Sequence, residues 1–359
     1  MSEPELDALG WSPELASSLE PGLVPGRVVA AHRGAAFDVF VGEGGGGDAA
    51  GVVRSRLPGR LAHFDALDVA VGDWVGLGDG LVRCVLPRRS ALVRSSAGLT
   101  SRPQTLAANV DLVFVVTSLG PDLDLRRVER YLVTVWESGA SPELVLTKAD
   151  RFEDGAVASF VASVESVAIG VPVWAVSAVT GAGVDLLRAR VGSGVTAVLI
   201  GSSGVGKSTL VNRWLGRELM ATQETRADDD EGRHTTTHRE LLLLPGGGVV
   251  IDTPGIRELQ LWDGGGPASG GALEDAFADV EALAAACRFH DCAHGVEPGC
   301  AVQAALRDGS LPRERYASWQ KLQRELHSIA VRADARLRRE EKRKWQQRAK
   351  DGRSRARRY

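Results

Sequence analysis

Between residues 110 and 252 the apolar positions gather into six strand-length runs: "VDLVFVVTS", "ELVLT", "VPVWAVSA", "VTAVLI", "RELLLL" and "VVID". They are continuous rather than alternating, as in strands buried on both faces. Helical stretches lie between several of them, such as "LRRVERYLVTVWES" at 125–138. That alternation predicts a mostly parallel sheet in an α/β domain. The stretch before it reads differently. "RVVAAH", "FDVFVG", "GVVRSRL", "DWVGLG" and "LVRCVL" are short β-rich runs separated by Gly-rich turns, including "EGGGGD" at 43–48. About five short strands at close spacing predict a small barrel of the OB type. After a Gly-rich stretch at 264–271 the pattern turns helical, through "LEDAFADVEALAAA" and "PRERYASWQKLQRELHSIA". The chain thus divides into an arm (1–25), a barrel (26–97), an α/β domain (98–265), a helical domain (272–330) and a tail (331–359).

Composition adds bounds. The chain has 359 residues, 44% hydrophobic and 25% charged, which suits two or three domains with substantial cores. No apolar run is long enough for a membrane helix, and the acidic opening "MSEPELDALGWS" is not a secretory signal. A cytoplasmic protein without a membrane partner is expected. The formal net charge of −3 is unevenly spread. Residues 332–359 hold thirteen Lys/Arg and four Asp/Glu, a local +9, which leaves −12 for the remainder. A basic tail on an acidic body suggests a polyanionic partner, whereas a solvated, frayed helix is the plainer account of such a run.

Candidate chemistry centres on "GSSGVGKST". Gly201, Gly206, Lys207 and Ser208 fit the Walker A pattern, with a buried strand before the loop and a helix after it. Backbone N–H groups of Gly201, Ser202, Ser203, Gly204, Val205 and Gly206 would converge on phosphate oxygens, and Thr209 continues into the helix. Lys207 is placed for the β/γ-phosphates and the Ser208 hydroxyl for Mg²⁺. "DTPG" closes the strand "VVID". Its Asp252 suits Mg²⁺ and its Gly255 N–H a γ-phosphate. "TKAD" follows another strand: Thr147 stands where Asn is usual, the Lys148 stem would lie along a base, Ala149 follows, and Asp150 would accept guanine N1–H and N2–H. Ser177 and Ala178 end a further strand, where a backbone N–H could meet the guanine oxygen. Strand C-terminal ends are where α/β sheets bind ligands.

The order of these motifs is rotated. GTPases ordinarily run phosphate loop, switch Thr, D-x-x-G, N-K-x-D, S-A. Here "TKAD" and "SA" precede the phosphate loop, a circular permutation that leads the D-x-x-G segment straight into the C-terminal domain. Within "ATQETRADDDEGRHTTTH", the acidic run 228–231 reads as a solvated loop. Thr235, Thr236 or Thr237 offers a hydroxyl to Mg²⁺, with Thr236 favoured. Ile256 occupies the place of a water-orienting Gln, and His234 is the candidate to replace it; a surface His without a role is the alternative. A P-loop small-molecule kinase would need neither "TKAD" nor D-x-x-G. A pure RNA-binding scaffold would not need Lys207, Ser208 and Asp252.

Three of the four cysteines crowd into Cys287-x4-Cys292-x-His294-x5-Cys300. Three thiolates and one imidazole make a closed, structural zinc site. His290 lies inside the cluster too, but His294 is preferred, because His290 falls between the first two cysteines at a helix end. Reduced buried cysteines without metal are the alternative.

Barrel, permuted GTPase and Cys₃His element, with "AANVD", "LRRVERYL", "GSSGVGKST", "GRHTTTH", "DTPGIRE" and "CRFHDCAH…EPGC", make residues 26–330 resemble the RsgA family of small-ribosomal-subunit-dependent GTPases. The resemblance implies an OB-type β-barrel, a circularly permuted P-loop GTPase and a helical zinc domain. It implies GTP hydrolysis to GDP stimulated by the small ribosomal subunit, late maturation of that subunit, and rRNA binding by the flanking domains. It also implies Mg²⁺ with GTP, zinc at Cys287, Cys292, His294 and Cys300, and a monomer.

Overall fold

The structure, a computed structural model, describes residues 6–32, 35–42, 51–58, 68–94, 104–217, 239–252, 271–295 and 297–333. Five strands form the expected barrel: β1 (Val24–His32), β2 (Ala36–Val41), β3 (Gly51–Arg56), β4 (Trp74–Gly78) and β5 (Leu81–Val85). Their order is β1-β2-β3-β5-β4, and β4 returns to β1 to close the ring. Inward-facing Val28, Phe37, Val39, Val41, Val75, Leu77 and Val82 fill it.

The arm is not free. It contains a 3₁₀ turn over Leu6–Leu9 and α1 (Pro13–Ser17), whose N-cap Ser12 accepts from Leu15 N. Leu9 and Leu15 are buried in one cluster with Trp74 and Leu86, and the Ala8 carbonyl accepts from Gly194 N. Elements of four and five residues are too short to carry a readable period, which is why the pattern reads as a bare arm. Arg27 pins the junction. It is buried, donating to Leu9 O and, at 2.7 Å, to Thr196 Oγ1. Burial pushes its pKa down to about 10, so it stays charged at neutral pH.

A hairpin of β6 (Ala91–Arg94) and β7 (Gln104–Ala108) links barrel to α/β domain. The α/β sheet then adds β8 (Leu112–Ser118), β9 (Ser141–Thr147), β10 (Val173–Ala175), β11 (Thr196–Ile200), β12 (Arg239–Leu243) and β13 (Val249–Asp252). Strands β10-β9-β8-β11-β13 are parallel, as the apolar runs predict, and β12 is antiparallel to β13. Helices α2 (Leu125–Glu137), α3 (Asp154–Glu165), α4 (Val184–Ala189) and α5 (Lys207–Leu215) accompany it.

Barrel and α/β domain are one sheet of eleven strands. The first half of β1, Val24 to Arg27, pairs with β4. Its second half stays paired with β2 (Ala30 with Asp38, Ala31 with Phe37, His32 with Ala36) and on its other edge exchanges β4 for β12, pairing Ala30 with Glu240 and Ala31 with Arg239.

The C-terminal domain consists of α6 (Ala272–Ala276), α7 (Ala278–Ala285), α8 (Ala301–Asp308) and α9 (Arg313–Ala333). The run expected as one helix over 273–286 breaks at Phe277, whose backbone leaves helical geometry and whose ring is buried. Above that ring lies Arg315, a buried cation. It donates to Glu129 Oε1 of α2 at 2.8 Å, to Asp279 Oδ1 at 2.8 Å and to the Val167 and Ala276 carbonyls. Burial opposes its charge, but the hydrogen bonds from Asp279 and Glu129 prevail and raise its pKa. This cluster and the Arg130–Glu325 pair dock the C-terminal domain on α2.

Candidate nucleotide site and metal centre

Residues 201–206 turn from β11 into α5 at the C-terminal end of the parallel strands. The turn needs its glycines. Gly201 has φ +141°, and a Cβ there would run into the Val116 carbonyl; Gly206 caps α5 with φ +101°. Ser202, Ser203, Gly204 and Val205 complete the loop, and Ser208 and Thr209 lie in the first turn of α5. Lys207 Nζ donates to Gly201 O and Ser202 O, each at 2.7 Å. Loop amides and the helix N-terminus together favour an anion. Strand β13 runs parallel to β11, pairing Ile251 with Val198. Asp252, one residue further on, therefore closes its strand beside the start of the loop. Oxygen ligands such as Asp252 and Ser208 suit a hard divalent cation such as Mg²⁺.

The base-reading residues meet the loop from the next strands. Thr147 ends β9, and its hydroxyl donates to Val205 O in the phosphate loop and also approaches Thr117 O. Threonine in place of asparagine thus keeps a tether between the base-reading turn and the phosphate loop. Lys148 adopts a left-handed backbone (φ +62°) that redirects the chain into the 3₁₀ turn Ala149–Arg151. Ala149 N donates to Val176 O, and Ser177 Oγ donates to Asp150 Oδ1 at 2.5 Å. One Asp150 oxygen is therefore held by Ser177, which fixes the carboxylate's direction. The sequence reading assigned Ser177 only a backbone contact. The loop carrying Ala178 is held in turn by Arg213 of α5, which donates to Ala178 O at 3.0 Å. Neither hydroxyl contact nor this clamp carries a sequence signal.

The metal cluster assembles as expected. The ligand atoms of Cys287, Cys292, His294 and Cys300 all lie within 4.8 Å of one another. Cys287 Sγ is 3.8 Å from Cys300 Sγ and 3.6 Å from His294 Nδ1, and Cys300 Sγ is 3.7 Å from that nitrogen. Tetrahedral zinc with Zn–S of about 2.3 Å and Zn–N of about 2.0–2.1 Å requires edges of about 3.8 and 3.6 Å, so the donor set fits one zinc ion bound through Nδ1. His290 is exposed and outside the cluster. His294 is itself left-handed (φ +56°), and its carbonyl accepts from Gln303 Nε2 at 2.7 Å, a bond to α8 that holds the ligand in place. Cys300 caps the same helix through Gln303 N.

Gly255, His234, Thr236 with its neighbours Thr235 and Thr237, Ile256, the acidic run 228–231 and the tail from 334 lie outside the described residues. Among the described residues no helix is long and apolar enough to cross a membrane.

A phosphate loop, the T-K-A-D turn and the strand ending in Asp252 on one parallel sheet, in rotated chain order, define a circularly permuted P-loop GTPase. Comparison with known proteins narrows the class. The RsgA GTPase family model matches residues 85–262. The chain is 49% identical to the small ribosomal subunit biogenesis GTPase RsgA of Streptomyces avermitilis, over 96% of this chain and 90% of the relative. To the Streptomyces coelicolor protein of the same name it is 46% identical, over 97% and 94%. It belongs to the RsgA family. Among solved structures, YjeQ from Thermotoga maritima matches with TM-score 0.61 at 27% identity, covering 84% of this chain and 98% of that one. YloQ, described as a circularly permuted GTPase, shares the fold with TM-score 0.58 at 23% identity, covering 86% of this chain and 96% of that one.

Proposed function

We propose that this protein hydrolyses GTP to GDP and phosphate as a maturation factor of the small ribosomal subunit, which stimulates its turnover. The observation that carries the reading is the tie between base site and phosphate site. Asp150, aimed by Ser177, stands on the turn that Thr147 bonds to the phosphate loop, so guanine recognition and phosphate binding share one frame. Asp150 selects guanine by accepting N1–H and N2–H, with Lys148, Ala149 and Ala178 around the base. Residues 201–206 with Lys207, Ser208 and Thr209 hold the phosphates, and Gly255 contacts the γ-phosphate. Ser208, Thr236 and Asp252 hold Mg²⁺, which when bound offsets charge on the β- and γ-oxygens. Water attacks the γ-phosphorus, the bond to the β–γ bridging oxygen breaks, and the water's proton leaves on the released phosphate or to solvent. With Ile256 in the water-orienting place, His234 takes that role in the complex with the ribosomal partner.

Zinc at Cys287, Cys292, His294 and Cys300 is structural. The barrel and the basic tail grip rRNA from either side of the catalytic domain. The protein acts as a cytoplasmic monomer. The test is GTP hydrolysis with and without purified small subunits. We expect many-fold stimulation at low salt that added salt erases, because phosphate contacts release counterions. His234→Ala should remove most of the stimulation while GTP affinity holds. No stimulation at any ionic strength would defeat the ribosomal reading.

A further inference from the structure

One cation beside the phosphate loop has no part in that reading. Arg127 is the third residue of α2, and its Nη1 donates to Ser202 Oγ at 3.0 Å. The two ends of the loop can be told apart. Thr147 bonds the Val205 end to the base-reading turn. Lys207, whose ammonium serves β- and γ-phosphates in such loops, lies against Gly201 and Ser202 at the other end. Ser202 therefore marks the distal end of the phosphate track, and Arg127 stands on its hydroxyl.

We propose that Arg127 is a phosphate-site cation supplied from α2, which Ser202 holds beside the terminal phosphate of GTP. The inference rests on the reading of this site as a GTP site. A guanidinium has five donors in a rigid fork that suits phosphate oxygens. Here one donor is on Ser202, and the Asp124 carboxylate stands off at 3.8 Å from Nη2. The side chain is about half exposed, so a phosphate oxygen can reach its remaining donors. The helix behind it is anchored, because Glu129 is held by Arg315 and Arg130 by Glu325. The guanidinium is thus presented from a fixed base. It lies between the C-terminal domain's docking helix and the loop that senses the nucleotide.

The test is equilibrium binding of fluorescent GDP and of a fluorescent non-hydrolysable GTP analogue to the full chain with Mg²⁺. Arg127→Ala should weaken the GTP analogue about tenfold, as expected for one charge-assisted contact, and leave GDP within about threefold. Arg127→Lys should fall between. Ser202→Ala removes the hydroxyl that holds the guanidinium and should weaken the GTP analogue in the same direction, with GDP again within about threefold. An unchanged GTP-to-GDP preference in Arg127→Ala overturns the proposal, as does an equal loss for both nucleotides, which is the mark of a merely structural role. Failure of the wild-type chain to bind either guanine nucleotide would instead sink the GTPase reading.

Discussion

At the scale of single residues, the site rests on side chains that hold other side chains. Asp150 is the proposed base reader, and its direction comes from Ser177, 27 positions away, while Thr147 reaches across 58 positions to Val205. Residue type and spacing betray Gly201, Lys207 and Asp150, because phosphate and guanine fix what must be there. Hydroxyl partners far apart in the chain leave no such mark, since serine and threonine are common everywhere. Asp150 gives a direct prediction. Asp150→Asn replaces an acceptor with a donor, so GTP binding should weaken and xanthosine triphosphate binding should strengthen, because the xanthine edge reverses the donor pattern. Competition between the two nucleotides checks this, and wild-type protein that binds ATP as tightly as GTP would contradict the assignment.

At the scale of elements, two clusters set where helices begin and dock. In the Cys₃His cluster, Cys300 caps α8 and His294 lies beside Trp319, the ring centroids 6.0 Å apart, and Trp319 stacks on Tyr316. Protein purified without chelator should carry one zinc per chain by elemental analysis. Cys300→Ala should lose the metal and lower the melting temperature of the C-terminal domain, since closed zinc sites contribute folding energy directly; absence of zinc from the wild type would refute the site. The second cluster is Arg315 with Glu129 and Asp279. Removing one partner of a buried ion pair costs about 3–5 kcal/mol, because it strands the other charge. Arg315→Ala should therefore loosen the C-terminal domain by that order in denaturant unfolding, whereas Arg313→Ala, at the start of the same helix, should not. Strands were legible where their apolar runs are long, as in β8, β9 and β11. β7 was not, because "QTLAA" is short, half polar, and pairs only with β6. Nor was the break at Phe277, which tertiary burial imposes on an otherwise helical run.

At the scale of the whole molecule, the rotated order of motifs could be read directly, because each motif names its own place in the cycle. The seam between barrel and GTPase could not, since no local pattern says that β1, while still paired with β2, will take a strand some two hundred positions later on its other edge. That seam also governs which strand edges of the sheet are left open. An open sheet offers its outermost strands as templates on which foreign chains can add. Here the barrel closes on itself and β1 covers β12, so the eleven-stranded sheet has one open end among the described residues. That end is β10, three residues long, too short to seed a ladder. A GTPase domain cut free of its barrel would uncover "RELLL", an apolar edge ready to recruit another copy. The barrel is thus the lid on an adhesive margin as well as a neighbour of the catalytic domain.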